Sequence, residues 1–505
     1  MKVIWKDLYR EAELYKAAVR LYTKPLFNWR KALSTSTDDR NLYDFARKGL
    51  KNLGRLHEDL SRERFQFRPG RAHHFNFNGK HRTLYIYPWE ERLVDLLLYR
   101  LMNRRFNAQF SPHSYAYRTG GLFGVDVCQS RIGRSLVPNE EPYYLLKRDI
   151  KDYFNSIHHE ALLGQVARWV PPGDYLFSLL SQRIAFIYED GCETRRAAQG
   201  VPFGTAIACW FANLHLTDMD KELGSLSETQ YYRYADDILF AALEKEKVLQ
   251  AQAIIQGHFQ TLGLESKATH EKNLVFCATR REEEGFEWTD RFKHLGLEFR
   301  ANGVTGLSRD KFRKICNLFR YGFRRKKGRF KKLKDPVLRA QLAAAVAKET
   351  LEAGLRNVAI IDYYLKHAKD EEQIARIDRW LAEEVLSIAF GGGHKKGYFK
   401  RLPYRRLREL GLPSLSHRRR LILHKQVDSP FFIWKNYKNE KGLKGAAARP
   451  SGSNRGAFSP HPKAVVQENL VGKRDHLSMG VIEAKLAKAS FGVELAAPLN
   501  PSMED

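Results

Sequence analysis

The period of the apolar positions changes several times along this chain, and each change marks an element. Leu50, Leu53, Leu56 and Leu60 recur at helical spacing, which predicts a helix with a leucine core face. Val248, Ala251, Ile255, Phe259 and Leu262 share one helical face, as a helix lying on a sheet requires. Phe312, Ile315, Phe319 and Phe323 form a third stripe, with Arg313, Lys314, Arg320 and Arg324 elsewhere around it. Elsewhere the pattern is strand-like. Tyr143-Tyr144-Leu145-Leu146 leads to Asp149, followed by a turn and a helix near His159. Tyr231 to Phe240 is a pair of apolar and aromatic runs flanking Asp236 and Asp237, which reads as a β-hairpin with its acids at the tip. Asn302-Gly303 marks another hairpin turn.

Four stretches follow from this pattern. Residues 1–80 read as a basic helical extension ending near Pro69-Gly70, and 81–300 as a core of mixed strands and helices. Residues 301–430 read as mostly helical and basic. Residues 431–505 form a C-terminal tail, and from Gly442 onward the composition turns to Ala, Gly, Ser and Pro, as in flexible segments. The class predicted is α+β.

Two neighbouring carboxylates repel each other and are costly unless a cation shares them. Mg²⁺ is usually held by one or two carboxylates together with substrate phosphates. Asp149, ending a strand of its own, would add a third acid beside Asp236 and Asp237. Such a set suits phosphoryl transfer with two metal ions. Taken alone, Asp236-Asp237 is an ordinary solvated turn and Asp149 a helix N-cap or surface acid.

The Tyr234-Ala235-Asp236-Asp237 box, with Asp149 upstream, resembles the metal-binding motifs of reverse transcriptases of the bacterial, group II intron-like lineage. Further motifs follow the family order across residues 81–300. Arg82 to Pro88 with Glu91 to Val94, and Ser111 to Arg118, resemble its finger motifs; Arg82, Arg92 and Arg118 would contact phosphates. Gln199 to Thr205 and Ala212 to Leu216 resemble the segment lying against the incoming nucleotide, although Gly204-Thr205 departs from the usual Ser-Pro. His294-Leu295-Gly296 resembles the primer grip.

The resemblance implies a right-hand polymerase with fingers, palm and thumb, an RNA-recognition-like antiparallel palm sheet and a helical C-terminal part. It implies that Asp149, Asp236, Asp237 and the Ile150 backbone carbonyl hold two Mg²⁺ ions, with Mn²⁺ as an alternative. Lys272 would protonate the pyrophosphate. Arg82, Phe154, Gln199 and Gly200 would bind the nucleotide, with Phe154 as a gate against the ribose 2′-hydroxyl.

Charge adds a partner. Lys and Arg number 86 against 58 Asp and Glu, a net +28, which suits a polyanion and salt-sensitive binding. A membrane surface fits poorly, because the chain has no apolar run long enough to span one. Met1 to Asp7 is charged too early for a secretory signal. Five scattered cysteines argue against a disulfide framework, and a cytoplasmic location is expected. Arg324, Arg325, Lys326, Lys327, Arg329, Lys331 and Lys332 form the densest basic run and are the expected RNA contacts.

The expectation is an RNA-directed DNA polymerase making cDNA from dNTPs on an RNA template, most like the unclassified and phage-defence enzymes, with a co-encoded noncoding RNA as template. A homo-oligomer is compatible. The alternatives are a diversity-generating or retron-type reverse transcriptase, a catalytically silent RNA-binding or assembly protein, and an RNA-dependent RNA polymerase.

Overall fold

The computed structural model describes residues 2–23, 28–77, 80–138, 141–352, 358–424 and 426, so the expected tail lies outside the described residues. In chain order the strands are β1 (Gly70–Phe77), β2 (Lys80–Ile86), β3 (Tyr143–Asp149), β4 (Ile187–Asp190), β5 (Glu193–Arg196), β6 (Thr229–Tyr234), β7 (Asp237–Ala242), β8 (Lys272–Phe276), β9 (Glu287–Thr289), β10 (Arg291–His294), β11 (Leu297–Arg300) and β12 (Thr305–Leu307). Helices fill most of the remainder, and the class is α+β.

The central sheet has the order β6-β7-β3-β8-β9. Its first four strands are antiparallel, whereas β9 runs parallel to β8. The expected all-antiparallel sheet thus carries one parallel edge strand. β3 and β7 are covered on both faces. Leu146, Ile238 and Phe240 enter one core, while their neighbours Leu145, Leu239 and Ala241 enter another. Double-sided burial is why these strands read as continuous apolar runs.

On the first face lies helix Lys245–Leu262, whose Val248, Ala251, Ile255, Phe259 and Leu262 are buried as its pattern predicts. On the second face lie helix Val125–Ser135, the small sheet β10-β11-β12 and the C-terminal helices, including Arg309–Arg325 and Glu371–Phe390. Asn302-Gly303 does form the turn between β11 and β12. A third sheet, β2-β1-β4-β5, is tied to the loop after Gly200 by the Tyr85 N–H donating to the Phe203 carbonyl at 3.2 Å.

The N-terminal stretch departs from its reading in two ways. It is helical only to Ser61 and contributes β1 from Gly70. Leu53, Leu56 and Leu60 are buried, but Leu50 is 80% exposed, because it lies in the first turn of helix Gly49–Ser61, short of the packed part of that face. No described helix is long and apolar enough to cross a membrane.

Candidate active site

Tyr234 pairs with Asp237 across a tight turn made by Ala235 and Asp236. A turn this short needs positive φ to match the strand twist, and Ala235 supplies it at φ 60. That region is unfavourable for a residue with a Cβ and persists only where surroundings impose it. Arg233 imposes it here. Fully buried, it donates Nη1 to the Ala235 carbonyl at 2.9 Å, and Nε to Asp220 Oδ1 at 2.7 Å. Asp220 is itself wholly buried and also accepts from the Tyr231 hydroxyl at 2.7 Å.

The hairpin brings Asp237 directly opposite Asp149 on β3. The Ile150 N–H reaches the Asp236 carbonyl at 3.4 Å, so the tip is joined to the first strand. Asp149 is 5% exposed, and its Oδ1 is buried with no hydrogen-bond partner among the described residues. Burial, then the charges of Asp236 and Asp237, push the Asp149 carboxyl up to about 8. Asp237 goes the other way. Burial pulls it up, but His294 and Lys147 outweigh that and hold it below the ordinary carboxylate range. His294 Nδ1 lies 3.3 Å from Asp237 Oδ1.

Among the described residues, no three His, Cys, Asp or Glu side chains converge into a ready-made ion cage. The site offers an open-sided set instead. A divalent cation that keeps water and takes substrate phosphates to complete its coordination suits such a set. The unpartnered Asp149 oxygen and the crowding that lifts the Asp149 carboxyl are both relieved by a divalent cation. The residues fit a divalent cation.

Phe154 is half-buried on the short turn of helix after Asp149, braced by Phe203 at 5.2 Å and Tyr117 at 6.2 Å between ring centroids. Gly200 lies against that turn. Its φ is +83, and a Cβ there would stand 2.9 Å from the Asn155 Cα and 3.0 Å from the Phe154 carbonyl, so only glycine fits without displacing the Phe154 backbone. Gln199 beside it is exposed. Arg82 sits half-buried on β2, and its Nε has no hydrogen-bond partner among the described residues.

Two of the expected phosphate contacts also make contacts within the protein. Arg118 donates to the carbonyl of Ser114 at 3.1 Å and to Asn107 Oδ1 at 3.1 Å, and it stacks 3.5 Å from the Phe123 ring centroid. Arg92 lies 4.2 Å over the Trp89 ring. Lys272 is exposed at the first position of β8, opposite Lys147 rather than Asp149. A lysine beside Asp149 that spacing arguments miss is Lys267. Its Nζ is 3.9 Å from Asp149 Oδ2, and its N–H donates to the Asp149 carbonyl at 2.8 Å.

His294 ends β10, and Leu295-Gly296 turn the chain into β11, both in the left-handed region at φ 49 and φ 81. The basic run spans the end of helix Arg309–Arg325 and the short helix Lys327–Lys332. Arg324, Arg325, Lys327, Arg329, Lys331 and Lys332 are exposed and Lys326 half-buried, and among the described residues none of the seven forms an ion pair.

Comparison with known proteins identifies the family. The pattern of the family described as reverse transcriptase (RNA-dependent DNA polymerase) matches residues 23–299, more than half of the chain. Protein YkfC of Escherichia coli (strain K12) is 24% identical over 169 residues, covering 33% of this chain and 44% of that protein. The retron Ec83 reverse transcriptase of Escherichia coli is 28% identical over 122 residues, covering 23% of this chain and 38% of that one. The matches thus span less than half the length of these curated relatives. Among solved structures, telomerase from Candida tropicalis bound to a telomeric RNA fragment superposes with a TM-score of 0.42 at 11% identity, over 80% of this chain and 70% of that one. The apo form gives 0.41 at 13% identity, over 76% and 68%. With its three carboxylates, palm-like sheet and His294 turn all inside the matched segment, this chain belongs to the reverse transcriptase family.

Proposed function

We propose that the chain is an RNA-directed DNA polymerase, extending a primer 3′-hydroxyl with dNTPs on an RNA template. The observation that carries this is the Asp149–Asp237 register with Asp236 on the adjoining turn, where a buried Asp149 Oδ1 has no hydrogen-bond partner among the described residues. Asp149, Asp236, Asp237 and the Ile150 carbonyl would hold two Mg²⁺ ions, for which Mn²⁺ can substitute. Such ions polarise the attacking 3′ oxygen and offset charge on the departing pyrophosphate.

The chain's own residues orient the reaction. Asp237 stays ionised beside His294, while Lys267 offsets charge at Asp149. Phe154, set by Gly200, presents its ring where a ribose 2′-hydroxyl would clash, and Gln199 with Arg82 meets the nucleotide. Lys272 serves as proton donor to the leaving pyrophosphate. His294, Leu295 and Gly296 hold the primer end. No protein nucleophile is needed, since in-line positioning and fixed charge supply the acceleration.

The template is a dedicated, co-encoded noncoding RNA gripped by Arg324 to Lys332, and the cDNA serves antiphage defence in the cytoplasm. Similarity to a retron reverse transcriptase supports a retron-type enzyme as the second reading. The test is to purify wild-type and Asp236→Ala protein, assay Mg²⁺-dependent dNTP incorporation on primed RNA, and sequence all bound nucleic acid. One enriched RNA, with complementary DNA in the wild type alone, is the expected result. Equal incorporation by a well-purified Asp236→Ala protein would sink the metal assignment. RNA without DNA or incorporation in either protein would favour a silent RNA-binding protein.

A further inference from the structure

His294 is gripped from both sides in sequence. The carbonyl of Lys293 accepts from Lys147 Nζ, and the carbonyl of Leu295 accepts from Gln129 Nε2 at 2.6 Å. Gln129 Oε1 in turn accepts from the Tyr363 hydroxyl. Lys147 lies on β3, two residues before Asp149, and Gln129 on helix Val125–Ser135. Tyr363 belongs to helix Val358–His367 of the C-terminal part, beyond the segment that matches the family. Gln129, Tyr363, His294 and Leu295 are each no more than 2% exposed.

A buried glutamine must satisfy both ends of its amide, and here one end holds a catalytic turn and the other a distant helix. Leu295 is at φ 49, a conformation that persists only where other contacts impose it. Releasing its carbonyl lets the Leu295-Gly296 peptide relax, and His294 moves with it. His294 Nδ1 stands 3.3 Å from Asp237 Oδ1. A shift of about 1 Å at such a site can cost on the order of a hundredfold in rate.

We propose that Gln129 and Tyr363 are positioning residues that act through His294 to set Asp237. The C-terminal helix Val358–His367 must then be docked for the carboxylate set to be correct. This rests on the polymerase reading for its kinetic consequence, but not for its effect on metal affinity.

The test uses the full chain and four proteins: wild type, Gln129→Met, His294→Gln and the double variant. Three quantities are measured: kcat and KM for dNTP incorporation, and the dissociation constant of Mn²⁺ alone by electron paramagnetic resonance without nucleic acid. Gln129→Met is expected to lower kcat about tenfold or more with dNTP KM little changed, and to weaken Mn²⁺ several-fold. The double variant should lose no more than His294→Gln alone, because both act on one contact. Multiplying losses, or unchanged kcat and Mn²⁺ affinity in Gln129→Met, would overturn the proposal. If Gln129→Met fails to fold, Tyr363→Phe, which keeps the ring and removes only the hydroxyl, enters the same cycle with a smaller expected loss. If the wild type incorporates no nucleotide, the polymerase reading fails while the Mn²⁺ cycle still decides the inference.

Discussion

Arg233 and Asp220 form an ion pair that water does not reach, both side chains being fully buried. Arg233 also donates to the carbonyl of Ala235, the strained residue of the acid-bearing turn. The pair therefore underlies Asp236 and Asp237 without touching substrate. Breaking such a pair leaves an uncompensated buried charge, which typically costs about 3–5 kcal/mol. Arg233→Met should lose about that much in urea unfolding. Adding Asp220→Leu should restore much of the stability, since an apolar pair of similar volume is often neutral, yet activity should stay low because the Ala235 carbonyl remains unheld. Full activity in a stable double variant would show that the turn needs no such support.

Legibility in the chain divides along sequence distance. The Asp236-Asp237 hairpin is legible because apolar runs flank it within a few residues, and Asp149 because a strand visibly ends there. Arg233 reads as one more arginine on a strand. Its partner Asp220 is thirteen residues away in another element, and only the fold joins them. Lys267 and Gln129 are hidden for the same reason, acting through backbone contacts to Asp149 and Leu295 that no local pattern encodes. The loop carbonyl that Arg118 meets is likewise not legible, because a basic residue in a finger motif suits a phosphate as well as it suits a carbonyl. Leu50 shows the limit of periodicity, which names a face without saying where along it packing begins.

His215 gives a pH dependence of stability. Burial pushes its pKa down to about 4, with His158 adding to the effect, and neither ring nitrogen has a hydrogen-bond partner among the described residues. The folded value lies below the ordinary 6.5, so the native state binds fewer protons than the unfolded chain between these values. Its contribution is fully present above about pH 6.5 and is lost as pH falls towards 4, amounting to roughly 3 kcal/mol. His367, also pushed down to about 4 by burial, adds a parallel loss. His215→Leu should flatten the acid limb of stability against pH, leaving the neutral limb nearly unchanged. An acid slope identical to wild type would show that His215 is not protonated on unfolding in this range.

Phe154 should govern sugar choice. Its ring is braced by Phe203 and Tyr117 and cannot easily swing aside. Phe154→Ala removes the clash with a 2′-hydroxyl, and discrimination by pocket shape of this kind is worth roughly 10- to 200-fold. The ratio of kcat/KM for dNTP to that for the matching rNTP should fall by about that factor, chiefly through better use of the rNTP. An unchanged ratio would remove Phe154 as the gate.

The basic run is exposed and carries no ion pair among the described residues, so its charge costs the fold little to remove. Replacing Arg324, Arg325, Lys327 and Arg329 with Gln should change stability by no more than about 0.5 kcal/mol at each position. RNA affinity should behave differently. Every phosphate that is no longer neutralised lowers the slope of log Kobs against log salt by roughly 0.7 to 0.9. With these four cations gone, affinity at low salt should drop steeply while the variant and wild type converge as salt rises. Incorporation on a short primed RNA held at saturating concentration should change little, because the Asp149–Asp237 set lies on a different element. A variant with an unaltered salt slope would show that the run is a solvated face and that the RNA is held elsewhere.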